Sequence, residues 1–209
     1  MRLIDVQARL LDMELAVFNT SDASAWLSIS QAHASKLLSR LSEAGLLVHL
    51  SRGLWAYKDR VEPMALPQYL TNPFPSYVSL QSALYQHDMI SQIPAVIYAV
   101  SIARTKRFAT PLGIISVHHV HPSFFFGYQT TSMGDIKIAT AEKALIDFLY
   151  FSPAKSKLFR SLPELELPRR FKIREARHMI SMIRSQRRRN RVLRLFEDLT
   201  SKGMESCQP

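Results

Sequence analysis

Two groups of polar side chains in this chain have the types and spacing to act on a polyanion. The first is Gln31, His33, Ser35, Lys36, Ser39 and Arg40, with Arg52 a little further on. Amide, hydroxyl and imidazole groups can bond base edges, whereas lysine and arginine neutralise phosphates. Lys36, Arg40 and Arg52 are therefore expected to anchor phosphates or to enter a narrow minor groove. Gln31, Ser35 and Ser39 are expected to read bases, with His33 a weaker member. The second group is an arginine series: Arg174, Arg177, Arg184, Arg187, Arg188, Arg191 and Arg194. Such a series suits DNA, RNA or an acidic protein surface.

Three smaller constellations invite other chemistry. His118-His119-x-His121 has ligand types, but on a strand His118 points away from the other two. No cysteine or carboxylate stands near in sequence to complete a site. Half-buried strand histidines are the expectation, with no metal. Asp135-x-Lys137 resembles the acid-x-lysine pair of metal-dependent nucleases, which needs a further acid, here Asp88 or Glu142. Lys143 and Asp147 are i, i+4 neighbours, expected as a surface ion pair worth well under ~1 kcal/mol. The sequence has no phosphate-cradling glycine loop and no G-x-S-x-G motif. No enzyme activity and no cofactor are expected.

The elements that must position the first group are legible. Ser30 is an N-cap type, and Ala34, Leu37, Leu38 and Leu41 repeat at i, i+3, i+4, i+7, as in a helix with one buried stripe. Gly45 stops that helix. Apolar residues on both sides of Ser51-Arg52-Gly53 predict a hairpin with Arg52 at its tip. Upstream, residues 1–15 predict an amphipathic helix, 16–18 a short strand, and Thr20 to Leu27 a second helix. The order is that of a winged helix-turn-helix. Trp26 and Trp55 are expected to pack in the core or the wing.

Pro63, Pro67, Pro73 and Pro75 mark a connector over 61–76, with a helical turn or two at Met64 to Leu70. Residues 77–150 predict a mixed α/β core. Its parts are a helix through Leu80, Ala83, Leu84 and His87, strands over 95–100 and 113–121, a strand at 135–138, and a helix capped by Thr140. Phe124 to Phe126 are expected in the core. Over 155–203 the helical pattern is strongly basic. Two stripes, Ile173-Ala176-Ile180-Ile183 and Leu193-Phe196-Leu199, predict two helices or one kinked helix. The fold class is α+β: an N-terminal winged helix-turn-helix over 1–60, then a mixed α/β domain over 61–209 ending in basic helices.

Composition narrows the partners. The chain has 209 residues, 47% hydrophobic, enough for a packed core. Residues 1–62 hold seven Lys/Arg and seven Asp/Glu, whereas residues 155–202 hold fifteen against five. The whole positive excess thus sits in the last quarter. The single cysteine, Cys207, forms no intramolecular disulfide. There is no signal-peptide pattern, and the longest apolar run, 93–103, is about half the ~20 residues of a membrane helix. A cytoplasmic protein without a membrane partner is expected, and a monomer in solution rather than an obligate oligomer.

The pattern resembles the AbiEi family of antitoxins from type IV toxin–antitoxin systems over roughly residues 1–150. The matching pieces are Arg52-Gly53-Leu54-Trp55, Tyr77 to Leu84, Gly113 to His119, Gly127, and Ile138 to Asp147, the last with Ser79 to Leu84 being the most specific. Asp88 stands where a glycine is common, a position that aspartate tolerates, and Trp55 where tyrosine is usual. The resemblance implies an N-terminal domain that binds inverted repeats in its own promoter and represses it. It also implies a C-terminal antitoxin domain that neutralises an AbiEii-type nucleotidyltransferase toxin in phage defence, with or without touching it directly. A stand-alone regulator with a sensing C-terminal domain is the competing reading, and the nuclease the third.

Overall fold

The computed structural model describes residues 2–131, 136–152 and 165–205, with side chains as far as Ser201. Asp135, Cys207 and residues 155–164 of the expected basic region lie outside the described residues. Among the described residues the chain is α+β, with eight α-helices and two sheets.

The N-terminal unit begins with α1 (Leu3–Leu11), β1 (Val17–Asn19), α2 (Thr20–Leu27) and α3 (Gln31–Glu43), and ends in the hairpin of β2 (Val48–Ser51) and β3 (Leu54–Ala56). The three strands form an antiparallel sheet in the order β1-β3-β2. Ser30 caps α3 by accepting the His33 backbone N–H at 3.3 Å, and satisfies a donor the first turn leaves free. Ala34, Leu37, Leu38 and Leu41 are the buried residues of α3. Leu37, Leu38 and Leu41 belong with Val6, Leu10, Phe18, Ala23 and Trp55 to one apolar core. Gly53, at φ +72°, turns the hairpin in a conformation that L-residues avoid. The Trp55 indole donates to Thr20 Oγ1 at 2.9 Å, tying β3 to the start of α2. Trp26 departs from the expectation of a packed residue. It is 48% exposed, and its indole donates to the Arg9 carbonyl at 2.7 Å, clasping α2 to α1.

The connector carries single 3-10 turns at Lys58–Arg60 and Pro63–Ala65, and then α4 (Leu66–Leu70). Seven further elements follow: β4 (Ser76–Val78), α5 (Leu80–Gln86), β5 (Ile97–Ser101), β6 (Lys106–Thr110), β7 (Gly113–His119), β8 (Tyr128–Thr130) and β9 (Lys137–Ala139). These six strands form a mixed sheet in the order β6-β7-β5-β4-β9-β8. The β5–β7 and β4–β9 pairs are parallel and the others antiparallel. Then come α6 (Ala141–Phe151), α7 (Ile173–Ser181) and α8 (Gln186–Glu205), so the C-terminal pattern resolves into two helices. Asp88 is left-handed at φ 56°, as the sequence suggested it could be.

The β5–β7 region of this sheet is packed on both faces. Helices α5 to α8 share the main core with its strands. Successive residues of β7 alternate. His118 meets Phe151 of α6, with ring centroids 5.3 Å apart, whereas Ile115 and Val117 join a cluster with Val17, Leu50, Leu54 and Ala56 of the N-terminal sheet. The back of the hairpin is thus buried against the second sheet.

Candidate nucleic-acid interface

Burial of one stripe of α3 leaves the opposite side open. Gln31, His33, Ser35, Lys36 and Arg40 are exposed and Ser39 is half-buried. All six therefore lie on an accessible helix surface, with no acidic residue in the first turn. Arg52 is exposed at the hairpin tip between β2 and β3. Short polar groups and two cations on a helix, followed by a hairpin arginine, can bond base edges and phosphates at once.

Sequence reasoning missed the cations that flank Arg52. A cleft of about 660 Å³ is lined by Arg52, Phe74, Arg104 and Lys106 among others. The signal was present in the sequence: Arg104, Lys106 and Arg107 are three of the five Lys/Arg between residues 63 and 154. Read linearly they belong to another domain, but the fold brings Arg104 and Lys106 beside the hairpin tip.

Seven arginines of the C-terminal region are exposed: Arg174 and Arg177 on α7, Arg184 between the helices, and Arg187, Arg188, Arg191 and Arg194 on α8. Ala176, Ile180, Ile183, Val192 and Phe196 bury the other side in the main core. Arg187, Arg191 and Arg194 share one helix face by their spacing. Arg188 donates to the Tyr150 hydroxyl at 2.6 Å and lies 4.5 Å from the centre of that ring. Arg184 Nη1 stands 3.3 Å from His121 Nε2. The ion pairs among the described residues are Lys143–Asp147 and Lys172–Glu175, so none of the seven is matched by a carboxylate there.

The three histidines do not converge. His118 is half-buried between Tyr98 and Phe151, and burial lowers its pKa below 6.5. His119 and His121 are exposed, against the expectation of half-buried rings. His119 Nδ1 bonds the Ala103 carbonyl at 3.0 Å, and His121 caps the 3-10 turn Pro122–Phe124 by accepting the Ser123 backbone N–H. No group of three or more His, Cys, Asp or Glu among the described residues could hold a metal ion. Of the acids that could join Lys137, Glu142 is buried and accepts the Lys172 backbone N–H at 2.9 Å, while Asp88 is exposed after α5.

The Lys143–Asp147 pair corrects the sequence reading most strongly. It is no surface pair: both side chains are fully buried. The Lys143 ammonium donates to Asp147 Oδ1, while the Tyr77 and Ser79 hydroxyls donate to Oδ2 at 2.9 and 2.8 Å. Phe124 and Phe126 close over the ammonium, 3.8 and 5.0 Å from their ring centres. Burial lowers the Lys143 pKa, and the Asp147 charge opposes that shift. Burial also pushes Tyr77 well above 10, with Asp147 adding to the effect. Tyr77, Ser79, Lys143 and Asp147 thus meet in one buried network, with Gly127 packed beside the Lys143 stem. No helix among the described residues is long and apolar enough to cross a membrane. No protein-family model matches this chain, and no curated protein does.

Proposed function

We propose that this chain is a winged-helix DNA-binding repressor that serves as the antitoxin of a type IV toxin–antitoxin system similar to AbiEi. The observation that carries the DNA-binding part is the open polar face of α3 beside a hairpin tipped by Arg52. In this reading α2, its turn and α3 are the helix-turn-helix, α3 enters the major groove, and β2–β3 is the wing. Lys36 and Arg40 hold phosphates, Gln31, Ser35 and Ser39 read bases, and Arg52 enters the adjacent minor groove. The C-terminal arginines add phosphate contacts or engage the toxin or its nucleic acid. The chain is not an enzyme on this reading and works in the cytoplasm.

The test is a titration of the chain's own promoter duplex in a gel-shift at physiological salt. Arg40→Ala is expected to weaken binding about tenfold or more, since a hydrogen bond to a charged group contributes about 1.5–3 kcal/mol. Unchanged binding removes Arg40 from the interface. The antitoxin part is tested separately, by co-expression with the neighbouring gene in a growth-rescue assay. Loss of rescue with retained promoter binding would favour the stand-alone regulator, a reading that the cleft beside Arg52 also suits.

A further inference from the structure

The cleft beside the hairpin tip combines two chemistries in one space. Arg52 comes from the β2–β3 turn, Arg104 from the β5–β6 connection and Lys106 from β6, and no acidic residue lines the cleft. None of the three cations makes an ion pair among the described residues. The remaining wall is largely apolar, including Leu70, Phe74 and Phe108. Phe74 is 49% exposed, a large aromatic left open beside concentrated positive charge. Lys106 already lies 4.7 Å from the centre of the Phe108 ring, which holds its ammonium at the wall. The volume of about 660 Å³ falls within the roughly 300–1,000 Å³ of small-molecule sites.

A ligand that satisfies this lining needs a compact anion joined to a flat apolar body. The anion would meet the guanidinium and ammonium donors, which favour phosphate oxygens. The flat body would stack on the Phe74 face, an interaction that tolerates any base. Inorganic phosphate lacks the second feature and a nucleoside the first. We infer that the cleft between the hairpin tip and the β5–β6 edge binds a free nucleoside monophosphate. Arg52 is shared. On the DNA-binding reading proposed above, the wing-tip arginine held by a bound nucleotide is withdrawn from the minor groove. Nucleotide and promoter then compete, and each weakens the other by the same factor.

Calorimetric titration of the full chain with AMP tests the site. Saturable binding is expected, with adenosine and inorganic phosphate each at least about tenfold weaker. Phe74→Ala and Arg104→Ala are each expected to weaken AMP by roughly tenfold, near the low end of what stacking on an aromatic contributes. Unchanged circular dichroism would establish that both variants are folded. Absence of saturable AMP binding, equal binding of inorganic phosphate, or unaltered AMP binding in either variant overturns the proposal. In a second arm, excess AMP is expected to weaken promoter binding by the wild-type chain but not by Phe74→Ala. Promoter binding indifferent to AMP overturns the competition. A chain that binds AMP but no promoter duplex refutes the DNA-binding reading and leaves the nucleotide site standing.

Discussion

Asp147 accepts bonds from Lys143, Tyr77 and Ser79 in a place water does not reach. Removing one partner from a buried ion pair leaves a bare charge, which costs more than the pair contributes. Asp147→Ala is expected to lose about 3–5 kcal/mol, a large part of the ~5–15 kcal/mol that holds a domain together. Urea unfolding measures it. The double replacement Lys143→Met with Asp147→Leu is expected to cost less than Asp147→Ala alone, because no charge is then stranded. A double variant at least as unstable as the single one would show that shape and hydroxyl pairing, rather than charge, govern this spot. Gly127 belongs to the same network. At φ +74° it packs on the Lys143 stem, and an added Cβ would meet Lys143 Cγ at 3.0 Å.

At the level of elements, the hairpin is held from behind. Ile115 on β7 is fully buried in the cluster that holds Leu50 and Leu54. Ile115→Ala is expected to cost about 2–5 kcal/mol through reduced burial and the cavity left behind. It should also loosen the hairpin, and on the DNA-binding reading proposed above promoter affinity should fall with it. A lowered thermal midpoint with unaltered affinity would mean that the hairpin keeps its place without this support. Elements whose signal is local were legible in the sequence. The stripe and cap of α3, the Gly53 turn, the connector prolines and the helical character of the C-terminal stripes all follow from short-range spacing, which fits one kinked helix as well as the break between α7 and α8. Features that need partners far along the chain were not. Lys143 and Asp147 have the spacing of a surface pair, but Phe124 and Phe126 lie against the ammonium and Tyr77 and Ser79 bond the carboxylate in the core. Strand β6, Lys106–Thr110, carries no apolar stripe because it is an edge strand, paired among the described residues with β7 alone. Trp26, a residue type that usually packs, lies half open because its indole finds the Arg9 carbonyl at the α1–α2 junction.

For the whole molecule, charge is unevenly distributed along the chain. The N-terminal unit is neutral in formal charge, while the exposed arginines of α7 and α8 carry the excess. If those helices touch the same duplex as α3, their cations must appear in the salt dependence of binding. Replacing Arg187, Arg191 and Arg194 by serine is then expected to flatten the log–log salt slope by about 0.9 for each phosphate no longer neutralised. Anisotropy titrations at several salt concentrations measure it, and an unchanged slope assigns the α8 face to another partner. The buried back of the hairpin has a further consequence for anyone who wishes to take the molecule apart. Cut away near residue 60, the N-terminal unit would carry an oily flank of Val17, Leu50, Leu54 and Ala56 into water. It is not a portable cassette. Grafted onto another protein, it would need a substitute for β7 or a resurfaced flank before it stayed dispersed in solution.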